Sequence, residues 1–294
     1  MSSRDIDAAT DLTSPSTHHF LSPHYDDIAL SCGGMVALLA GAGIRPRISV
    51  AFGAAPDPNQ PLSSFAAAMH ETWGLAAADV IARRRQEEAA AAELLGATSA
   101  SLSLTDAIYR GSWYQDDAAL LGTVPADEAP LAGQITRELL DAAGHDRAAR
   151  FYAPLGIGGH VDHQICFAAG VELASAGRDV WFYEDLPYAL QLRARATRLQ
   201  RIAAAWPATA PASLRTAHLT PVAHVDIGPV WDRKLAAIFA YASQVPAIFR
   251  HIGPDGSPDP IAAALRDYAT RRGDGFPTER LWRLRQSESE TETA

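Results

Sequence analysis

Cysteine is nearly absent. Cys32 and Cys166 are the only two in 294 residues, and both lie inside apolar stretches, so no disulfide framework is expected. An excess of basic residues is missing as well: 25 Lys plus Arg against 34 Asp plus Glu leave a formal net charge of −9. Binding to phosphate-rich partners depends on grouped cations, so neither a nucleic acid nor an anionic membrane surface is an expected partner. Long hydrophobic runs do not occur. Runs such as Met35–Ala40 fall far short of the roughly 20 residues a membrane span requires. The N-terminal stretch MSSRDIDAATDLTSPST carries acids and hydroxyls where a secretory leader has an apolar centre. The expectation is a soluble, cytoplasmic protein.

The chain is 48% hydrophobic and 20% charged, enough apolar material for a sizeable core. Residues 1–16 and the acidic 286–294 read as flexible tails around one domain, 17–285. Within it, strand-like and helix-like patterns alternate. THHFLS (17–22), PRISVAF (46–52), ASLSL (100–104), RFYAPL (150–155) and DVWFYE (179–184) read as strands. Helices are expected over GGMVALLAGAG (33–43), over 63–95 with a break near Gly74 and a stop at Gly96, and over 131–143 and 161–176. The last third is less regular, with helical stretches near 189–204, 229–242 and 259–272 and strands near 214–227 and 280–285. Strands separated by such helices define an α/β fold, a Rossmann-like three-layer sandwich with a mostly parallel sheet and a C-terminal extension.

Two segments concentrate chemistry. SPHYDDIALSCGG (22–34) follows the first strand, and GGHVDHQ (158–164) follows RFYAPL. In open α/β sheets ligands bind beyond the carboxyl ends of strands, so the two can meet in one crevice. His24 and Asp27 are three apart, as are His160 and His163. Two imidazoles and one carboxylate leave an open position on Zn²⁺, the arrangement of catalytic rather than structural zinc. Asp26 is then free to act as a base, and Asp162 to orient a ligand imidazole. Either segment alone reads better as solvated loop histidines or as an Asp-Asp helix cap; the two together, each at a strand-to-helix junction, favour the metal site.

These segments resemble the signatures of the PIG-L/LmbE-like zinc N-deacetylases, (A/P)HPDDE and HPDH, with Arg84, Glu87, Ala91 and Leu95-Gly96 matching the R-x-x-E…A…LG helix between them. YEDLPY (183–188) and KLAAIFAYASQ (234–244) are similar to a branch of the family. The resemblance implies one zinc ion, or another divalent metal, on His24, Asp27 and His163. It implies Asp26 as general base toward a metal-bound water, and His160, in protonated form, facing the oxyanion or protonating the leaving group. Asp162 would be the supporting partner. The implied activity is removal of an N-acetyl or related N-acyl group from an amino sugar or its glycoconjugate. Tyr25 and Ile28 replace the usual Pro and Glu, and Gly158 stands where some members carry a Tyr, so an oxyanion tyrosine, if the site needs one, must come from elsewhere, with Tyr109, Tyr183 and Tyr188 as candidates.

Asp106, Tyr109 and Arg110, and Glu184 with Asp185, follow strands at the same rim and are candidate substrate contacts. Arg84 and Glu87 read as a helix-surface or structural pair, and the remaining histidines as structural or solvated. The apolar positions of 234–249 read as core. Two alternatives stand beside the deacetylase: a non-haem Fe(II) oxygenase with a two-His-one-carboxylate site, and a non-catalytic sugar-binding protein. The partner expected is a small amino-sugar conjugate; a homo-oligomer is compatible with the sequence. Scarce lysine beside abundant Ala and Arg suggests a GC-rich bacterial genome.

Overall fold

The first strand, β1 (His18–Ser22), is buried at all five positions, as a central strand covered on both faces must be. The computed structural model describes residues 17–74, 79–204, 217–253, 256–271 and 275–286. The expected tails, apart from Gln286, and residues 214–216 and 272 of the expected C-terminal elements lie outside these. In chain order β1 is followed by α1 (Asp27–Gly41), β2 (Arg47–Val50), α2 (Ser64–Thr72), α3 (Val80–Leu95), β3 (Thr98–Ser101), α4 (Pro130–Ala142), β4 (Arg150–Pro154), α5 (Val161–Ser175) and β5 (Asp179–Tyr183). Then come α6 (Leu192–Ala204), β6 (Ala217–Asp226), α7 (Trp231–Phe239), α8 (Pro258–Thr270) and β7 (Thr278–Gln286).

The seven strands form one sheet in the order β3-β2-β1-β4-β5-β7-β6. β1 to β5 pair in parallel, whereas β7 pairs antiparallel with both β5 and β6. The strand order reverses between β1 and β4, which opens a crevice at their carboxyl ends. α1 packs with α3 and α7, and α4 packs with α5.

Two expected boundaries differ. β3 begins at Thr98, not Ala100, and pairs in register from Arg47↔Thr98 to Val50↔Ser101. It is a largely exposed edge strand, so the alternation of Leu102 and Leu104 marks the residues after it. α1 begins at Asp27, six residues before Gly33, because residues 27–32 are buried all round and show no period to read. The helix is interrupted at Cys32 (φ −139°, ψ 24°). Beyond that break Gly34 and Met35 N–H donate to the two Glu279 oxygens at 2.9 and 2.7 Å, an anion at a helix N-terminus. Lys234 Nζ donates to the same carboxylate at 2.5 Å. A Cβ on Gly34 would stand 2.6 Å from Ile227 Cγ2. Glycine at 34 thus lets the C-terminal extension close on the helix that follows the first chemical segment.

Candidate active site

The turn after β1 carries His24, Asp26 and Asp27. Asp26 has φ 96° and makes no side-chain cap bond, so the pair is not an ordinary helix cap. A non-glycine residue in that region costs about 1–3 kcal/mol and persists only where its surroundings impose it. Here Glu88 Oε2 lies 3.5 Å from the Asp26 N–H, and Asp26 O accepts from Leu30 N–H at 3.1 Å. Glu88 is itself held by Ser99 Oγ at 2.7 Å and the Tyr241 hydroxyl at 2.6 Å.

His24 and His163 are arranged alike. His24 Nε2 donates to Asp162 Oδ2 at 2.8 Å, and His163 Nδ1 donates to Asp185 Oδ1 at 2.7 Å. Each imidazole then turns its other nitrogen toward Asp27 Oδ2, at 3.6 Å from His24 Nδ1 and 3.4 Å from His163 Nε2. Bonds of about 2.0–2.1 Å to a tetrahedral ion place ligand atoms roughly 3.3–3.4 Å apart, so the donor types and these two separations suit a divalent metal. The carboxylate behind each imidazole is the usual outer support of a metal-binding histidine. His160 joins the group: ligand atoms of His24, His160 and His163 lie within 4.8 Å of one another.

The surrounding charges divide the aspartates. Burial alone would raise Asp27, but His163 and His24 outweigh it and hold its carboxyl below the usual range. Burial and the neighbouring Asp27 push Asp26 up to about 8, against the opposing pull of Arg84. Burial opposes protonation of His24, yet Asp106, Asp162 and Asp27 raise it well above the ordinary imidazole value; Asp27 and Asp185 raise His163 against the same penalty.

His160 differs from the expectation of a protonated imidazole. Burial, then the cationic His24, then His163 push it well below its ordinary value, so it is neutral. Its Nδ1 accepts from Asp162 N–H at 3.2 Å, which puts its proton on Nε2. It is a neutral donor.

The other candidates separate. Asp106 Oδ2 lies 3.8 Å from His24 Nε2 and 3.7 Å from Arg84 Nη1, within the cluster. The Tyr109 hydroxyl pairs with His70 Nε2 at 2.6 Å. Arg110 spends its guanidinium on Asp162 (2.7 Å), both Glu128 oxygens (2.7 and 2.9 Å) and Thr105 O (2.9 Å); it buttresses Asp162. Glu184 accepts from Arg195, Arg280, Trp282 Nε1 and the Tyr268 hydroxyl. Four donors fill a carboxylate's capacity, and Glu184 braces the C-terminal extension. Arg84 and Glu87 are not a pair. Arg84 is buried between the rings of Tyr25 and Trp73 and faces Asp26 at 3.5 Å, while Glu87 binds Arg83 and the Ser243 N–H and hydroxyl. Asp185 gave one sequence signal, an acid just past a strand end, but its role behind His163 appears only in three dimensions.

The family model of the GlcNAc-PI de-N-acetylases (PIG-L) matches residues 19–174. A 2'-N-acetylparomamine deacetylase of Streptomyces fradiae is 32% identical over 228 residues, 76% of this chain and 72% of that protein. Its namesake from Niallia circulans is 28% identical over 186 residues, 58% of this chain and 66% of that one. Among solved structures, a deacetylase–bog complex from the biosynthesis pathway of teicoplanin matches with a TM-score of 0.71 and 25% identity, over 93% of this chain and 99% of that one. The chain belongs to the PIG-L family. It is an amidohydrolase, which sets aside both the oxygenase and the non-catalytic alternatives. Among the described residues no helix is long and apolar enough to cross a membrane.

Proposed function

We infer that this protein removes an N-acetyl group from an amino sugar within a glycoconjugate, with zinc at His24, Asp27 and His163 and Asp26 as general base. The observation that carries the reading is the convergence on Asp27 Oδ2 of one nitrogen each from His24 and His163, at 3.6 and 3.4 Å, with a second carboxyl on the adjacent residue, 3.5 Å from Arg84. The names of the two curated relatives, both 2'-N-acetylparomamine deacetylases, support the substrate class.

Zinc bound by such a ligand set polarises a carbonyl and makes water nucleophilic near neutral pH. The chain's own residues handle the protons. Asp26 accepts a proton as the water oxygen bonds to the carbonyl carbon. It returns that proton to the amide nitrogen as the C–N bond breaks, leaving a free amine and acetate. A carboxyl with its pKa near the working pH suits both halves of this shuttle, and positioned proton transfer contributes about 10²–10⁴-fold. His160, neutral and protonated at Nε2, donates to the oxygen as charge gathers there. Arg84, at 3.5 Å from Asp26 Oδ2, aims the carboxyl and limits how far burial raises it. Asp106, paired with Arg84, is the carboxylate best placed to receive sugar hydroxyls.

Amine release from 2'-N-acetylparomamine and from simple N-acetylglucosaminides, measured together with metal content, tests the reading. Asp26→Asn is expected to keep its metal and lose about 10²–10⁴-fold in turnover; His163→Ala is expected to lose metal. Full activity in Asp26→Asn would exclude Asp26 as the base.

A further inference from the structure

The proposed hydrolysis, on which any account of the substrate rests, places an acetamide at the aspartate–histidine cluster. In a 2-acetamido sugar the glycosidic carbon is bonded directly to the carbon that bears the nitrogen. Whatever is joined to the sugar must therefore lie against the wall of that cluster.

One cleft meets this requirement. It opens beyond the carboxyl end of β2, between residues 56–63 and the single-turn helix Ala107–Tyr109 that leads to Gly111. Both walls are anchored to the cluster. On one side Ala107 N–H donates to Asp162 Oδ2 at 3.0 Å, and Asp106, the residue before it, reaches His24 and Arg84. On the other side α2 begins just after Ser63, and its His70 pairs with the Tyr109 hydroxyl at 2.6 Å. The ring of Trp73, at the end of α2, lies 5.2 Å from the Arg84 guanidinium that faces Asp26. The cleft spans about 380 Å³ with its open mouth, at the small end of ligand sites. That is room for a single ring.

The lining selects the kind of ring. Pro61, Leu62 and Ile108 form apolar walls suited to the C–H face of a saturated ring, with Asp57, Gln60 and Tyr109 set among them to meet its polar substituents. Among the described residues no Lys, Arg or His lines the cleft, so an anionic group would enter without a partner. Asp57 Oδ1 accepts from the Asn59 N–H at 2.9 Å and from its side-chain amide at 3.1 Å. Its Oδ2 has no partner among the described residues. A carboxylate held in place through one oxygen and open at the other is suited to an ammonium group.

We propose that this cleft holds the ring joined to the N-acylated sugar, and that the ring is saturated, hydroxylated and bears an ammonium group set against Asp57. The enzyme is then selective for a two-ring, cationic glycoside over the acetamido sugar alone.

Three glycosides of N-acetylglucosamine separate the contributions: methyl, cyclohexyl and aminocyclohexyl, each followed by acetate release. In wild type, kcat/KM should rise about tenfold from methyl to cyclohexyl as apolar area enters the cleft. It should rise about fivefold more with the ammonium group, the upper end for an exposed ion pair, and about 1 M salt should remove most of that second step. Asp57→Asn keeps an oxygen for Asn59 and should lose the fivefold step alone. Pro61→Trp fills the cleft and should lose both. The methyl glycoside, assayed on each variant, is the internal reference, so partial loss of fold divides out of these ratios. A wild type indifferent to the ring, variants that keep both steps, or a preference for a carboxycyclohexyl glycoside over the amino one overturns the proposal. Wild-type protein that releases acetate from none of these glycosides, nor from 2'-N-acetylparomamine, overturns the deacetylase reading and the subsite together, whereas an active wild type without the two steps overturns the subsite alone.

Discussion

Replacing Asp185 by Asn separates a metal-binding cluster from a merely polar one. The Asp185 side chain accepts from His163 Nδ1 at 2.7 Å and from Ile157 N–H at 3.0 Å, one bond on each oxygen. The residue is 1% exposed and His163 likewise 1%, so water cannot take over either bond. Asparagine has one acceptor oxygen for these two donors, and its NH₂ must face one of them. Loss of the charge-assisted bond to the imidazole weakens its hold on tautomer and basicity. Comparable changes behind metal-binding histidines cost roughly 10–100-fold in metal affinity, equivalent to about 1.4–2.7 kcal/mol. The donor left facing the amide costs a further 1–3 kcal/mol or so of fold stability, which urea unfolding of the metal-free protein measures separately. Competition with a chromophoric chelator gives the zinc dissociation constant. A 10–100-fold rise in that constant is expected. Unchanged zinc affinity in a folded Asp185→Asn protein would refute the claim that His163 binds metal through Nε2 with Asp185 behind it.

Two further outcomes follow from the charges. His24 and His163 are both raised above the ordinary imidazole value, so a cation must displace protons held on the imidazoles, and zinc affinity should rise with pH. Calorimetry in two buffers of different ionisation enthalpy should show net proton release on zinc binding below about pH 6.5, where free imidazoles are protonated, and a count of zero would contradict the assignment. His19, buried on β1 and stacked on Phe151 at 5.4 Å, is pushed down to about 4 by burial and then by Arg47. The unfolded chain therefore binds the extra proton between about pH 6.5 and 4, and stability falls as pH drops through that window, by about 2 kcal/mol at pH 5; His19→Phe should lose less stability than wild type between pH 7 and 5 in urea titrations, and an equal loss would refute the assignment.

The sequence marks the sheet strongly because its central strands are short apolar runs between helices, and β1, β4 and β5 fall within a residue or two of their expected limits. What it hides has physical causes. β6 and β7 pair with each other across about sixty residues, and β7 enters the sheet beside β5; nothing local encodes that pairing. Arg83, Arg84 and Arg85 are consecutive, and only the packed helix shows that Arg84 turns inward to Asp26 while Arg85 reaches the Tyr25 hydroxyl at 3.0 Å. Position alone could not reveal that the Glu184 and Asp185 carboxylates serve different ends, one bracing Arg195 and Arg280 and the other holding His163. The two chemical segments stand out for a different reason: the metal ligation proposed for them needs particular atoms at particular places, so few residue types can stand there.

Asp26 and Asp27 show what sequence leaves undecided even at its most legible point. They are the same residue type, adjacent and both buried, and an isolated Asp-Asp pair gives no means of telling ligand from base. The backbone separates them. With φ at 96°, Asp26 leaves the helical path, and its carboxyl meets Arg84 while its main-chain N–H meets Glu88; Asp27, one residue on, enters the helix and meets the two imidazoles. Opposite environments then drive the two carboxyls in opposite directions, Asp26 toward holding a proton and Asp27 toward staying ionised. Paired carboxyls with diverging affinities for a proton are how a site divides acid–base work from charge stabilisation. The roles proposed for the two residues are therefore tied to the turn at Asp26, and a variant that relaxes this turn without touching either carboxyl should impair catalysis as well as alter stability.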